Sequence, residues 1–119
     1  MTFVVAVVDD DTRILESLES LLASAGHSVR LFTSASELLE DCGFADIDCL
    51  ISDIGMPVIN GWELQRLAHA ARPELPVILI TGRDWSDQAM AAAQGGQGFF
   101  RKPFNGQDLL AAVSRALLR

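Results

Sequence analysis

Residues 3–8 read Phe-Val-Val-Ala-Val-Val, a run without a polar side chain and rich in β-branched residues. A strand with one wet face would alternate apolar and polar residues. This run leaves no face for water, so it suits a strand covered on both sides. Strands of that kind belong to parallel sheets whose crossover connections are helices. Short apolar segments recur at 47–52, 77–80 and 98–101, with a more polar one at 28–32.

Helical patterns fill the intervals. Ile14, Leu15, Leu18, Leu21, Leu22 and Ala25 form one stripe, and Gly26 is a suitable stop. Ser34 and Glu37 fit a capping box ahead of Leu38 and Leu39 on the apolar side of a short helix. After the Asn60-Gly61 turn, residues 62–71 place Leu64, Leu67, Ala68 and Ala71 on an inward face, and Arg72-Pro73 closes the helix. An alanine-rich stretch capped by Ser86 predicts a helix to Gln94. Asn105 and Asp108 open a last helix with Leu109, Leu110, Val113, Ala116 and Leu117 on one face. Five strand–helix units imply an α/β fold, a parallel sheet with helices on both faces, in a single domain over 1–119. At 119 residues with half of them hydrophobic, the chain has material for one core, and disorder is excluded.

Charge and cysteine content narrow the function. Sixteen acidic residues against nine basic ones give a net charge of −7, which argues against direct nucleic-acid binding by this domain. No apolar run reaches the roughly 20 residues of a membrane helix. The N-terminus lacks the basic segment of a secretion signal, so a cytoplasmic location with no membrane contact is expected. Cys42 and Cys49 have no His or Cys at metal-binding spacing and are expected to be small buried hydrophobes in a reducing compartment.

Open parallel sheets bind ligands beyond the carboxyl ends of their strands. At those ends the sequence places Asp9, Asp10 and Asp11, then Asp53, Thr81-Gly82 and Lys102-Pro103, with Thr33 and Ser34 after the second strand. Asp11 is expected to cap the first helix, but three consecutive acids exceed what capping needs. Clustered carboxylates repel one another, and a divalent cation relieves that repulsion. Oxygen-only donors suit a hard ion such as Mg²⁺. A lysine and a hydroxyl beside it suit a phosphoryl group, with one carboxylate as nucleophile.

Asp9-Asp10 after an apolar strand, Asp53 within Leu50-Ile51-Ser52-Asp53-Ile54-Gly55-Met56-Pro57, Gly61, Thr81-Gly82 and Lys102-Pro103-Phe104 together resemble the receiver domain of bacterial two-component response regulators. The likeness covers the whole chain. It looks most like receivers that often carry a helix-turn-helix output domain. It implies a flavodoxin-like, doubly wound (βα)5 fold with a five-stranded parallel sheet in the order 2-1-3-4-5. It also implies Asp53 as phospho-acceptor, and Mg²⁺, with Mn²⁺ as an alternative, held by Asp9, Asp10, Asp53 and the Gly55 carbonyl. Lys102 would pair with the phosphoryl group, its bond to Pro103 would be cis, Thr81 would swing toward the phosphoryl oxygens, and Phe99 would be the aromatic switch. The donor would be a sensor histidine kinase, a phosphotransfer protein or a small acyl phosphate. The surface around the fourth helix, fifth strand and fifth helix would then meet a partner, a fused output domain or a second copy in a phosphorylation-dependent dimer. Such a protein is a switch rather than an enzyme, catalysing only its own phosphoryl transfer and autodephosphorylation.

Three features depart from the pattern. Gly55 lacks the side chain that, with the residue at Arg83, tunes acyl-phosphate lifetime in such receivers. Gly95-Gly96-Gln97-Gly98 sits in a segment slightly shorter than is usual, so a shortened or mobile fourth helix is expected. Trp85 is either a partner contact or helix packing. Trp62 is assigned to helix packing, and His27 and His69 to the surface. Two other readings stand beside the receiver. A haloacid-dehalogenase-type phosphatase would use Asp9 in Asp9-x-Asp11, but Arg13 stands where its threonine should be, and no late acidic pair or cap domain is present. A pseudo-receiver would carry the fold without phosphorylation. The chain is either a whole single-domain regulator or the receiver part of a longer one.

Overall fold

The structure, a computed structural model, describes residues 2–41, 43–82 and 98–118. Five strands, β1 (Val4–Val8), β2 (Ser28–Phe32), β3 (Cys49–Asp53), β4 (Val77–Thr81) and β5 (Gly98–Arg101), form one parallel sheet in the order β2-β1-β3-β4-β5. The described helices are α1 (Thr12–Ser24), α2 (Ala35–Asp41), α3 (Gly61–Ala71) and α4 (Gly106–Leu117). The doubly wound α/β architecture expected from the apolar runs is therefore present. The helix expected over 86–94, the glycine cluster at 95–97, and Arg83, Trp85 and Cys42 lie outside the described residues.

Alternating side chains of the sheet feed two cores. On one face Val5, Val7, Cys49, Ile51, Ile78 and Ile80 pack with Leu15, Leu18 and Leu22 of α1 and with Leu109, Ala112 and Val113 of α4. On the other, Ala6, Val8, Leu50, Val77 and Leu79 meet Ala35 and Leu38 of α2 and Leu64 and Ala68 of α3. Every residue of β3 and β4 is buried, as apolar runs covered on both faces require, and the burial extends to the polar Ser52, Asp53 and Thr81 at their carboxyl ends. Each fully buried Leu or Ile contributes about 1.5–3 kcal/mol by leaving water.

The helix starts follow their sequence signals. Asp11, Asn60 and Asn105 are the N-caps of α1, α3 and α4, each accepting from amides of the first turn. In the capping box, Ser34 Oγ accepts from the Glu37 amide and Glu37 accepts from the Thr33 amide. Gly26, just past α1, takes φ +91°, a conformation costly for any side chain. The inward stripes need small corrections. Ala25 and Ala71 are exposed because they lie at helix ends that have run past the sheet, and Leu39 turns outward on the short α2. Gln65, a polar residue, occupies a buried position on α3 instead. Neither histidine is simply on the surface. Both are half-buried, and His69 Nε2 lies 3.2 Å from the Leu75 carbonyl between α3 and β4.

Candidate functional site

The register of the sheet delivers the polar residues to one place. Val8 pairs with Ser52, so Asp9 and Asp53 leave the ends of β1 and β3 side by side. Asp53 pairs with Ile80 and Thr81 with Arg101, so Thr81 and Lys102 follow on the next two strands. The backbone continues these pairings past the strands: the Ile54 amide donates to the Ile80 carbonyl at 2.9 Å and the Lys102 amide to the Thr81 carbonyl at 2.7 Å.

The side chains converge accordingly. Carboxylate oxygens of Asp9, Asp10 and Asp53 lie within 4.8 Å of one another. Lys102 Nζ donates to Asp9 Oδ2 at 2.8 Å and stands 3.5 Å from Asp53 Oδ1. Asp9 is fully buried, Asp53 is 6% exposed and Asp10 faces solvent. Asp9 Oδ1 also accepts from the Asp11 amide at 2.9 Å, so both Asp9 oxygens are engaged. Thr81 is buried at the end of β4. The Lys102–Pro103 bond is cis.

Two opposing effects set the charges. Burial pushes the Asp9 carboxyl above its ordinary value; the Lys102 hydrogen bond and the Asp11 amide pull it back without cancelling the effect. For Lys102 burial acts downward, but the hydrogen bond to Asp9 and the charges of Asp9 and Asp53 outweigh it, so its ammonium is held above the ordinary range. A single lysine thus serves two carboxylates, with a third beside them. Among the described residues the cluster is short of positive charge, and all its donors are oxygens. These residues fit a small hard cation.

The loop after Asp53 is closed at its base. The Gly61 amide donates to the Ile54 carbonyl at 2.9 Å, and a Cβ at Gly61 would stand 2.5 Å from the Asp53 carbonyl oxygen and 2.7 Å from Ile54 Cα. Only glycine allows α3 to begin this close to the end of β3. Gly55 lies half-buried in the same loop.

These features match a described family. A family model for the response regulator receiver domain matches residues 5–114. The chain belongs to that family. The receiver domain is 40% identical over 115 residues to the response regulator protein TmoT of Ectopseudomonas mendocina, covering 96% of this chain and 52% of that protein. It is 38% identical to the DNA-binding transcriptional regulator NtrC of Escherichia coli K12, again covering 96% of this chain but 24% of that protein. Among solved structures, the BeF3-activated DrrB receiver domain superposes with a TM-score of 0.89 at 31% identity over the full length of both chains. The receiver domain thus spans about half the length of TmoT and a quarter of NtrC. The flavodoxin-like sheet order expected from the sequence is the one observed.

Of the residues singled out by sequence, Asp9, Asp10, Asp53 and Lys102 meet directly, and Thr81 stands at the neighbouring strand end. Phe99 lies elsewhere, half-buried on the α3 side of β5, its ring stacked on Trp62 with centroids 6.2 Å apart and planes at 29°. Sequence reasoning treated Trp62 as packing and did not pair it with Phe99. The pairing joins residues far apart in sequence, and only the strand register reveals it. Gln65 was also missed; its Nε2 finds no hydrogen-bond partner among the described residues.

Proposed function

We propose that this receiver domain accepts a phosphoryl group on Asp53 from a sensor histidine kinase or phosphotransfer protein and passes the change to a partner or fused output domain. The observation that carries this is the division of labour between two carboxylates. Asp9 has both oxygens committed, to Lys102 and to the Asp11 amide, whereas Asp53 meets Lys102 only at 3.5 Å. Asp53 is therefore the better nucleophile, which also disfavours the phosphatase reading that would use Asp9.

In the proposed step an Asp53 oxygen attacks phosphorus. The bond from phosphorus to the donor histidine nitrogen breaks, and its electron pair goes to that nitrogen, leaving an acyl phosphate. Asp9, Asp10 and Asp53, with the Gly55 carbonyl, would hold Mg²⁺ or Mn²⁺. The ion supplies the positive charge that lets carboxylates and a phosphoryl group share one pocket. Lys102 neutralises a phosphoryl oxygen, and the Thr81 hydroxyl donates to another. Thr81 can do so in one loop arrangement only, so that arrangement becomes more populated. Phe99 turns inward as part of the same change. Gly55 and Arg83 set the lifetime of the acyl phosphate, and β5 with α4 contributes to the surface that meets the partner. The switch turns over no other substrate. A phosphorylation-dependent dimer is a further use of that surface. No described helix is long and apolar enough to cross a membrane, and a cytoplasmic location accords with a kinase as donor.

The test is incubation with Mg²⁺ and acetyl phosphate, read by intact mass beside Asp53→Asn. Gain of one phosphoryl group in the parent and none in the variant is expected. Labelling that persists in Asp53→Asn would move the nucleophile to Asp9. Absence of labelling in a chain shown to bind the metal would leave either a pseudo-receiver or a switch that accepts phosphate only from its own kinase.

A further inference from the structure

The site and Phe99 are joined through the start of α3. The Asp53 and Ile54 backbone is in van der Waals contact with Gly61, closely enough that no side chain fits there. The Gly61 amide is tied to the Ile54 carbonyl. The next residue, Trp62, is half-buried and lays its indole against the Phe99 ring. Both rings also rest on the buried cluster formed by α2, α3 and that face of the sheet. A displacement of the acceptor backbone therefore reaches Phe99 through two rigid contacts and one aromatic stack.

We infer that Trp62 is a positioning residue for the switch: it holds the Phe99 ring in one orientation, and the start of α3 transmits the state of Asp53 to that ring. This rests on the assignment of Phe99 as the switch aromatic. Packing alone would ask only for an apolar residue at position 62, and leucine would serve. A stacked pair adds an orientation preference, because offset ring contacts favour particular angles and lose energy when one ring turns. Whichever arrangement of Phe99 keeps the stack is favoured by it. By linkage, weakening the stack must then change the affinity for any phosphoryl mimic that prefers one arrangement.

The experiment is calorimetric titration of the whole chain with beryllium fluoride in the presence of Mg²⁺, for the parent, Trp62→Leu, Trp62→Phe, Phe99→Leu and the double variant Trp62→Leu/Phe99→Leu. Thermal unfolding of each confirms that it is folded. Trp62→Leu should change the dissociation constant by about two- to tenfold, the range of one aromatic pair. Trp62→Phe, which keeps a ring, should stay near the parent. In the Phe99→Leu background the Trp62→Leu change should vanish. A second signature needs no affinity change: with Trp85→Phe removing the other indole, Trp62 emission should respond to beryllium fluoride, and Phe99→Leu should abolish the response. If Phe99→Leu alters affinity while Trp62→Leu does not, the inference is overturned and the switch assignment stands. Equal effects of Trp62→Leu in both backgrounds would also overturn it, showing that Trp62 acts without Phe99. If neither residue matters, the switch assignment itself fails, and this inference with it.

Discussion

Val58 is an apolar, β-branched residue at φ +67°, and it is 92% exposed. Its side chain stabilises nothing in the fold, and its backbone sits in the left-handed region that β-branched residues avoid. Asn tolerates that conformation without the larger unfolded-state entropy of Gly. Val58→Asn should therefore raise stability by about 1 kcal/mol, seen as a higher urea midpoint at unchanged slope. Cys49 shows the opposite situation. Burial pushes its thiol up to about 12 from an ordinary 9.0. The folded chain keeps a proton that the unfolded chain releases above about pH 9, so this contribution is lost as pH rises from 9 toward 12. Cys49 should resist a maleimide reagent at pH 8 in the folded protein and react fully in urea, as read by peptide mass. The burial of Cys49 was legible in its sequence neighbours. The strain at Val58 was not, because Met-Pro-Val-Ile-Asn carries no signal that the third of these residues turns left-handed.

At the scale of elements, β3 and α3 meet with no room for a side chain at Gly61. A methyl group at Gly61 would overlap backbone atoms of Asp53 and Ile54 that have no soft direction in which to move. Gly61→Ala should cost about 1–3 kcal/mol in thermal or urea unfolding, the range for overpacking. Because the overlap falls on the backbone carbonyl of Asp53, the proposed acceptor, it should also slow acetyl phosphate labelling of that residue. The strands and most helices were readable from their burial patterns: apolar runs in β1, at Cys49–Ile51 and at Val77–Ile80, and three- and four-residue spacing in α1 and α4. What escaped was contact between elements. Gly61 read as a turn residue, yet its main constraint is the strand it touches. Trp62 read as packing, yet its partner lies on β5. Helix ends were overextended inward at Ala25 and Ala71 because a stripe continues in sequence after the sheet beneath it has ended.

The whole molecule gathers charge at one end of its sheet. The folded state holds the Asp9 proton more tightly than the unfolded chain does. That contribution to stability is present at low pH and is lost as pH rises through the raised folded-state value. A divalent cation held by Asp9, Asp10 and Asp53, as proposed, would compete with that proton for the same carboxylates. Mg²⁺ should therefore raise the unfolding temperature more at pH 7.5 than at pH 5, and Asp9→Asn should shrink the rise at pH 7.5. Differential scanning calorimetry with and without Mg²⁺ checks both. A gain equal at the two pH values would place the ion elsewhere. The composition of this site was visible in the sequence as a list of strand-end residues, but the order of contact was not. That Lys102 meets Asp9 closely and Asp53 less so depends on side-chain reach, which periodicity does not encode. The same ion pair spans 93 positions of the chain, joining the first strand to the residue after the last. During synthesis the acids emerge first and wait for their lysine. The pocket therefore gains its counter-charge only after the last strand of the sheet has been made.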